Sequence, residues 1–175
     1  MRVRVLTFNL NDRKQTRAEW LQEIESAWLP LAQCEQYDLL LVALQEDYGD
    51  AHRFGQFGAA VADYLAPHGF EHLHGAESTP LSPSLKFAVK ANIYARQSLH
   101  MCVTAVRRQC LGSSATRRTV CTKSGIVMRL QTQKSSQSLL FIALHLPINV
   151  KKDDLGLQER VDACRACFAD QFGLC

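Results

Sequence analysis

The chain has 175 residues, of which 47% are apolar and 21% are charged, with 20 Lys and Arg against 17 Asp and Glu. This composition excludes an intrinsically disordered protein, and no apolar run approaches the roughly 20 residues that a membrane span requires. We therefore expect one soluble domain, or part of one, over residues 1–175. A chain of this length buries about 70% of its unfolded surface, so it needs no disulfide or structural metal for stability.

Seven cysteines are scattered along the chain without a disulfide framework, and the N-terminal residues do not form the apolar core of a signal peptide. We therefore expect a reduced, cytoplasmic protein. Cys164 and Cys167 form the one Cys-x-x-Cys spacing, and no second Cys or His pair lies near them in the sequence. Free thiols are a simpler interpretation of this pair than a zinc or redox site.

The basic segment, residues 78–152, holds twelve Lys and Arg and no Asp or Glu, whereas the rest of the chain holds eight basic and seventeen acidic residues. Such a segment favours a polyanionic partner: nucleic acid, a phosphorylated small molecule or an anionic membrane surface. The alternative is a strand-rich segment whose exposed faces carry Lys, Arg and Thr. For a membrane surface the candidate contacts are four arginines: Arg107, Arg108, Arg117 and Arg118.

The first predicted element is a strand over residues 3–9, which alternate in character and deliver Asn9 and Asn11 to the C-terminal end. Capping-box spacing then predicts a helix that begins near Arg17 and is bent or stopped by Pro30. Its apolar stripe includes both tryptophans of the chain. This stripe is most simply the core-facing side of an amphipathic helix.

The second predicted strand runs from Asp38 to Leu44, an almost wholly apolar stretch typical of a strand covered on both faces. The stretch stops at Gln45 and Glu46, so a buried strand presents a carboxylate at its end. A helix over 54–65 follows. The next predicted elements are strands near 70–74, 85–96 and 99–107 and a basic loop over 108–118.

Two further strands are predicted over residues 119–131 and 139–146, and the second delivers His145 where an apolar run ends. A helix over 152–172 completes the chain. Two strand-helix alternations followed by several strands and a helix predict an α+β fold, a layered α/β sandwich.

Three predicted strand ends carry groups that can bind a metal or phosphate: Asn9 with Asn11, Glu46, and His145 with Asn149. Mg²⁺ takes oxygen ligands from one or two carboxylates and leaves positions for substrate phosphate, and Glu46 beside an Asn meets that requirement. The residues alone leave open a simpler interpretation, in which these are ordinary solvent-facing strand ends.

Four short phrases occur in order along the chain: Leu-Thr-Phe-Asn-Leu-Asn at 6–11, Leu-Val-Ala-Leu-Gln-Glu at 41–46, Cys-Thr-Lys-Ser-Gly-Ile-Val at 121–127 and Phe-Ile-Ala-Leu-His-Leu at 141–146. With Arg160 after them, they resemble successive motifs of the inositol polyphosphate 5-phosphatases. Those motifs are Trp-Asn-Val-Asn, Gly-Leu-Gln-Glu, Asn-Lys-Gly-Gly-Val and Ser-His-Leu-Ala-Ala-His. The family belongs to the endonuclease/exonuclease/phosphatase superfamily, so the resemblance implies the N-terminal part of its four-layer fold.

The resemblance implies a Mg²⁺-dependent phosphatase that removes a phosphate, at the 5-position, from inositol polyphosphates or phosphoinositides. Glu46 would be the metal ligand. Asn9 and His145 would be catalytic, with Asn9 supporting the metal and His145 donating to the phosphoryl oxygens. The implied phosphate contacts are Asn11, Lys123, Asn149 and Arg160.

Departures from the family motifs concern both single residues and whole phrases. Phe8 replaces a Trp, Ser124 replaces the first Gly of Gly-Gly, and Asn149 stands where a second His is expected. Gly-Asp-x-Asn and Ser-Asp-His, which supply the family's water-activating Asp and a phosphate-site His, have no counterpart after Arg160. The chain therefore resembles only the first part of the family domain.

A half domain would leave the inner face of its sheet without a partner sheet. We therefore expect Val42, Ile142 and Leu144 to line an uncovered apolar face, with self-association through it or a longer natural protein as the explanation.

Two other functions remain open at this point. One is a Mg²⁺-dependent nuclease of the same superfamily, which would share the metal-binding edge. The other is a catalytically inactive module that binds an anionic lipid or a protein through the basic segment, which would place a cytoplasmic protein at the membrane periphery.

Overall fold

The computed structural model describes residues 1–10, 13–48, 56–77, 86–113, 121–132 and 138–145, and also residues 158, 161, 162, 164 and 165. The strands within this part of the chain are β1 (Val3–Asn9), β2 (Leu39–Tyr48), β3 (Phe70–Glu77), β4 (Lys86–Arg96), β5 (Met101–Ser113), β6 (Cys121–Thr132) and β7 (Ser138–His145). The α-helices are α1 (Arg17–Glu23), α2 (Leu31–Cys34) and α3 (Phe57–Leu65), and a π-helical turn over Ile24–Trp28 continues α1.

The strands form two sheets. The first has four strands in the order β1-β2-β4-β3, and the second has three in the order β5-β6-β7. β1 runs parallel to β2, and all the other pairs are antiparallel. The predicted α+β sandwich is confirmed: helices cover one face of the first sheet, and the second sheet covers the other.

The helical layer packs on the first sheet through an aromatic cluster. Phe8 of β1 stacks on Trp28, with ring centroids 3.8 Å apart. Trp20 of α1 makes an edge contact with Phe57 of α3 at 5.0 Å. Trp20 and Phe57 are fully buried, so the cluster fixes β1 one residue before Asn9.

The start of α1 agrees with the sequence. Thr16 caps the helix: its side chain accepts from the Glu19 N–H, and the Glu19 carboxylate accepts from the Thr16 N–H at 2.6 Å. These two reciprocal bonds satisfy amide groups that a helix N-terminus otherwise leaves without partners. At the other end, the helical stretch stops at Leu29, directly before Pro30, and the Leu29 N–H donates to the Ile24 carbonyl at 2.8 Å.

The two sheets pack face to face through an apolar inner core. Every second residue of β2 and β4 points into it, because side chains alternate between the faces of a strand. The second sheet fills the space from the other side. The main contributors are Leu41, Ala43, Val89, Ile93, Ile126, Met128 and Phe141, all at most 5% exposed.

The predicted uncovered inner face is wrong for the part of the chain that the structure describes. Val42 is 1% exposed and lies in the core under the helices, and the half-buried Ile142 and Leu144 alternate with the β7 residues that face the inner core. The reason is that β5 to β7 already supply a partner sheet. Self-association stays a prediction, because Ile142 and Leu144 lie on the face of β7 that points away from the inner core. Among the described residues the exposed large apolar side chains are Met1, Val3 and Val5.

Several predicted boundaries were also wrong. β2 continues to Tyr48, so Gln45 and Glu46 lie within the strand. β5 continues to Ser113, so the basic loop predicted from Arg108 begins as strand. Residues 114–120 lie outside the description, as does most of the predicted 152–172 helix, although its five described residues are helical. No helix in the described ranges is long and apolar enough to cross a membrane.

An ion pair between Arg13 and Glu23 lies at the surface above the aromatic cluster. Arg13 donates from both terminal nitrogens to the Glu23 carboxylate, at 2.8 and 2.6 Å, and its guanidinium lies 4.9 Å from the centre of the Trp20 ring. The hydrogen bonds from Arg13 lower the pKa of Glu23 below its ordinary value of 4.5. The carboxylate form is therefore favoured in the folded state.

We predict that Glu23→Gln lowers the free energy of unfolding by about 0.5–1 kcal/mol at pH 7, the usual range for an exposed pair with good geometry. Because the folded pKa is depressed, the contribution is present above the ordinary pKa and is lost as pH falls through the folded value. Urea unfolding at pH 7 and pH 3 measures this, with the exposed Glu35→Gln as control. A Glu23→Gln deficit that is no smaller at pH 3 than at pH 7 would contradict the ion-pair explanation.

Candidate functional site

The parallel pairing of β1 and β2 brings Asn9 beside the Gln45-Glu46 pair. Asn9 and Gln45 are partners in the ladder, and the N–H of Leu10 donates to the Gln45 carbonyl at 2.9 Å. The Asn9 side chain is exposed. Because parallel strands end on the same edge of a sheet, Asn9 and Glu46 share the C-terminal edge of the first sheet.

His145 arrives at the same edge from the second sheet. It is the last residue of β7, and its Nε2 lies 3.6 Å from Oε1 of Glu46. His145 is 7% exposed, whereas the Glu46 side chain is 23% exposed. The distance is too long for a direct hydrogen bond, so the two groups form an ion pair only when the imidazole is protonated.

Glu46 has a backbone conformation that L-residues rarely adopt, with φ at 56°. The ladder between β2 and β4 goes from the Gln45–Val89 pair directly to the Asp47–Phe87 pair. A non-glycine residue in this region costs about 1–3 kcal/mol and persists only where its surroundings enforce it. Such residues cluster at functional sites, and the sequence pattern gave no sign of this one.

Gln45 ties three strands together next to Glu46. Its Nε2 donates to Thr7 Oγ1 of β1 at 3.1 Å and to the Leu144 carbonyl of β7 at 3.4 Å. Its side chain therefore bridges the two sheets next to Glu46 and beside the ladder position of Asn9. This role of Gln45 was not predicted from the sequence.

Ser124 lies opposite His145 in the β6–β7 ladder. It is 3% exposed, and its Oγ has no hydrogen-bond partner among the described residues. A buried hydroxyl without a partner costs about 1–3 kcal/mol. Ser124 therefore adds a polar atom beside His145 at a position where the 5-phosphatase motif has Gly.

A buried ion cluster lies directly behind Glu46. Lys90 of β4 is 3% exposed, and its Nζ lies 4.0 Å from Asp47 Oδ2 and 3.2 Å from Glu77 Oε1. This cluster was not predicted from the sequence. The available signal was a Lys between apolar residues in the middle of a predicted strand, which requires a counter-charge if it is buried.

The described residues thus bring together Asn9, Glu46 and His145. The backbone of Lys123 lies in β6 beside Ser124, but its side chain is outside the described residues. The other predicted phosphate contacts are also outside them: Asn11, Asn149 and Arg160.

The donors at this edge have the right chemistry for a divalent cation. The Glu46 carboxylate and the Asn9 amide provide hard oxygen atoms, which Mg²⁺ prefers. Within the described ranges no group of three or more His, Cys, Asp or Glu residues is placed to hold a metal. A cation here would keep several waters or substrate oxygens, as Mg²⁺ usually does.

Comparisons with known proteins identify the fold. No family model and no curated protein matches the chain. The catalytic domain of human Nocturnin, solved with a bound sulfate anion, is similar over 99% of this chain with a TM-score of 0.58 and 14% identity. A structure of ANGEL2, a 2′,3′-cyclic phosphatase, in complex with adenosine-2′,3′-vanadate, is similar over 86% of this chain with a TM-score of 0.51 and 16% identity. A second ANGEL2 structure covers 96% of this chain with a TM-score of 0.51.

At 14–16% identity these neighbours share a fold with this chain, which agrees with the predicted layered α+β fold. They do not support the inositol 5-phosphatase family in particular. The chain spans 62% of the Nocturnin domain and 37% and 46% of the two ANGEL2 chains.

We predict that Gln45→Leu lowers the free energy of unfolding by about 1–2 kcal/mol, because it removes two hydrogen bonds that join β1, β2 and β7. Urea unfolding followed by far-UV circular dichroism measures the change. The control is Gln22→Leu, at an exposed position of α1, which should change stability by less than about 0.5 kcal/mol. Equal effects of the two substitutions would show that Gln45 does not hold the sheets together.

Proposed function

We propose that this chain carries the metal-binding and phosphate-binding part of a divalent-metal-dependent phosphoester hydrolase. The observation that carries the proposal is the approach of Glu46 and His145 to 3.6 Å, with Asn9 one ladder position away. Asn9 and His145 are the last residues of β1 and β7, and Glu46 lies near the C-terminal end of β2.

In the proposed site Glu46 is the carboxylate ligand of Mg²⁺, and the exposed Asn9 amide supports the ion or a phosphate oxygen. When bound there, Mg²⁺ would supply charge neutralisation at the phosphate oxygens during an in-line attack by water. His145 lies beside Glu46 and donates a hydrogen bond to a phosphoryl oxygen. That bond strengthens as negative charge grows on the oxygen, so it stabilises the transition state more than the ground state.

The group that activates the water is not part of this proposal. Asp162 is exposed and accepts from Gln158 Nε2 at 2.8 Å, four residues away in the same helical segment. It therefore already has a partner within its own segment. In the proposed hydrolase the described residues bind the metal and the phosphate.

For the substrate we propose a multiply phosphorylated inositol. Support comes from the Lys-Ser-Gly phrase at 123–125, whose backbone lies in β6 next to His145, and from the acid-free basic segment that contains β4 to β7. Arg107 and Arg108 of β5 are exposed. Cations in this segment favour a substrate with several negative charges.

A second candidate is a ribonucleotide phosphoester, which the structure neighbours favour. ANGEL2 is described as a 2′,3′-cyclic phosphatase and was solved with adenosine-2′,3′-vanadate. At 14–16% identity such neighbours share a fold with this chain, and the fold alone does not determine the substrate.

We predict phosphate release from an inositol polyphosphate carrying a 5-phosphate in the presence of Mg²⁺, and none with EDTA. Glu46→Gln and His145→Asn should each reduce the rate by about 100-fold or more, the usual effect of removing one transition-state contact. A parallel assay with adenosine 2′,3′-cyclic phosphate tests the second candidate. Malachite green and product chromatography measure the two reactions.

Two surface substitutions provide matched controls. Glu71→Gln in β3 and His100→Asn after β4 change the same residue types at exposed positions and should leave the rates unchanged. Mg²⁺-dependent release that survives Glu46→Gln would refute the assigned metal ligand. No release from either substrate by well-folded protein would refute the hydrolase proposal for this chain.

We also propose, as an alternative use of the basic segment, binding to an anionic membrane surface. Binding to phosphatidylserine vesicles should fall as salt rises, because exposed charges are screened. It should survive Glu46→Gln and EDTA and disappear when four arginines are changed to Gln: Arg107, Arg108, Arg117 and Arg118. Vesicle sedimentation measures the bound fraction, and binding that persists in the four-arginine variant would contradict this alternative.

A further inference from the structure

The unusual backbone at Glu46 determines which face of β2 its side chain reaches. Leu44 belongs to the core under the helices, and Gln45 reaches the second sheet. Regular alternation would therefore send Glu46 to the helix side and Asp47 to the inner side, facing the second sheet. Neither residue follows that pattern.

Both side chains make contacts on the opposite face. The Glu46 carboxylate lies near His145 of the second sheet. Asp47 lies 4.0 Å from Lys90 Nζ. Lys90 is on the helix side, because its neighbours Val89 and Ala91 point into the inner core and its ladder partner is Leu44. The positive φ of Glu46 thus exchanges the faces of two consecutive carboxylates.

The buried charge of Lys90 favours the position of Asp47 on the helix side of β2. A buried ammonium requires compensating charge, and removing one partner of such a pair costs about 3–5 kcal/mol. Lys90 has two carboxylates near it, Asp47 and Glu77, and the Glu77 side chain is 39% exposed. Asp47 is 1% exposed, so its ion pair with Lys90 is more strongly desolvated than the pair between Glu77 and Lys90.

From these contacts we propose that Asp47 and Lys90 are positioning residues for Glu46. The buried ion pair fixes Asp47 on the helix side, and this holds the left-handed backbone that turns the Glu46 carboxylate toward His145. Without the pair, β2 relaxes to regular alternation and Glu46 turns away from the site. The inference rests on the proposed role of Glu46 as the metal ligand.

The test measures binding of Mn²⁺ alone, by isothermal titration calorimetry and electron paramagnetic resonance, so it does not depend on catalysis. In the whole chain, Asp47→Asn should weaken Mn²⁺ binding by about tenfold or more, as substitutions that misorient a metal ligand typically do. Asp63→Asn, a half-exposed carboxylate on α3, is the matched control and should leave the affinity unchanged. Near-UV circular dichroism confirms that each variant is folded.

Glu46→Gln separates this inference from the proposed function. If Glu46→Gln leaves Mn²⁺ binding intact, the proposed metal role fails. If Glu46→Gln abolishes binding while folded Asp47→Asn binds normally, the positioning role alone is overturned. In the Glu46→Gln background, Asp47→Asn should cause no further loss, because no metal ligand remains to be positioned.

A second variant covers the case in which Asp47→Asn does not fold. Glu77→Gln removes the more exposed carboxylate next to Lys90, so it disturbs the core less. It should weaken Mn²⁺ binding by about tenfold, the lower end of the usual effect of such substitutions, since Lys90 loses one of the two carboxylates near it. Unchanged affinity in Glu77→Gln would overturn the proposal in that case.

Discussion

The packing of β7 against β2 is the contact on which the candidate site depends. Glu46 and His145 are far apart in the sequence, and they meet only because the inner faces of the two sheets are apolar and must cover each other. Gln45 contributes to the same contact, because its side chain donates a hydrogen bond to the carbonyl of Leu144, 99 positions later in the sequence. Any change that separates the sheets therefore removes the site together with the core.

The sequence was sufficient to predict that several of the strands and helices exist, although not all of their boundaries. Alternation in 3–9, the apolar stretch before Gln45 and the one before His145 each indicated a strand, and each strand is present. Capping-box spacing predicted a helix start near Arg17, and α1 begins there. These features are local, because they depend on side chains only a few positions apart.

The parts that could not be predicted depend on partners distant in the sequence. A second sheet formed by β5 to β7 was not foreseen, so Val42 was assigned to an uncovered face although helices cover it. The left-handed Glu46 was not foreseen either, since Glu has no preference for that conformation. Lys90 could be recognised as unusual in its strand, but its carboxylate partners follow only from the register of three strands.

The aromatic cluster under β1 has a consequence for optical studies of this protein. The chain has two tryptophans, Trp20 and Trp28, and both lie in the layer between the helices and the first sheet. Intrinsic tryptophan fluorescence therefore reports on the packing of that layer and is insensitive to changes in β5, β6 and β7. If the second sheet detached first, the emission spectrum would remain native while the Glu46 and His145 side chains had already separated.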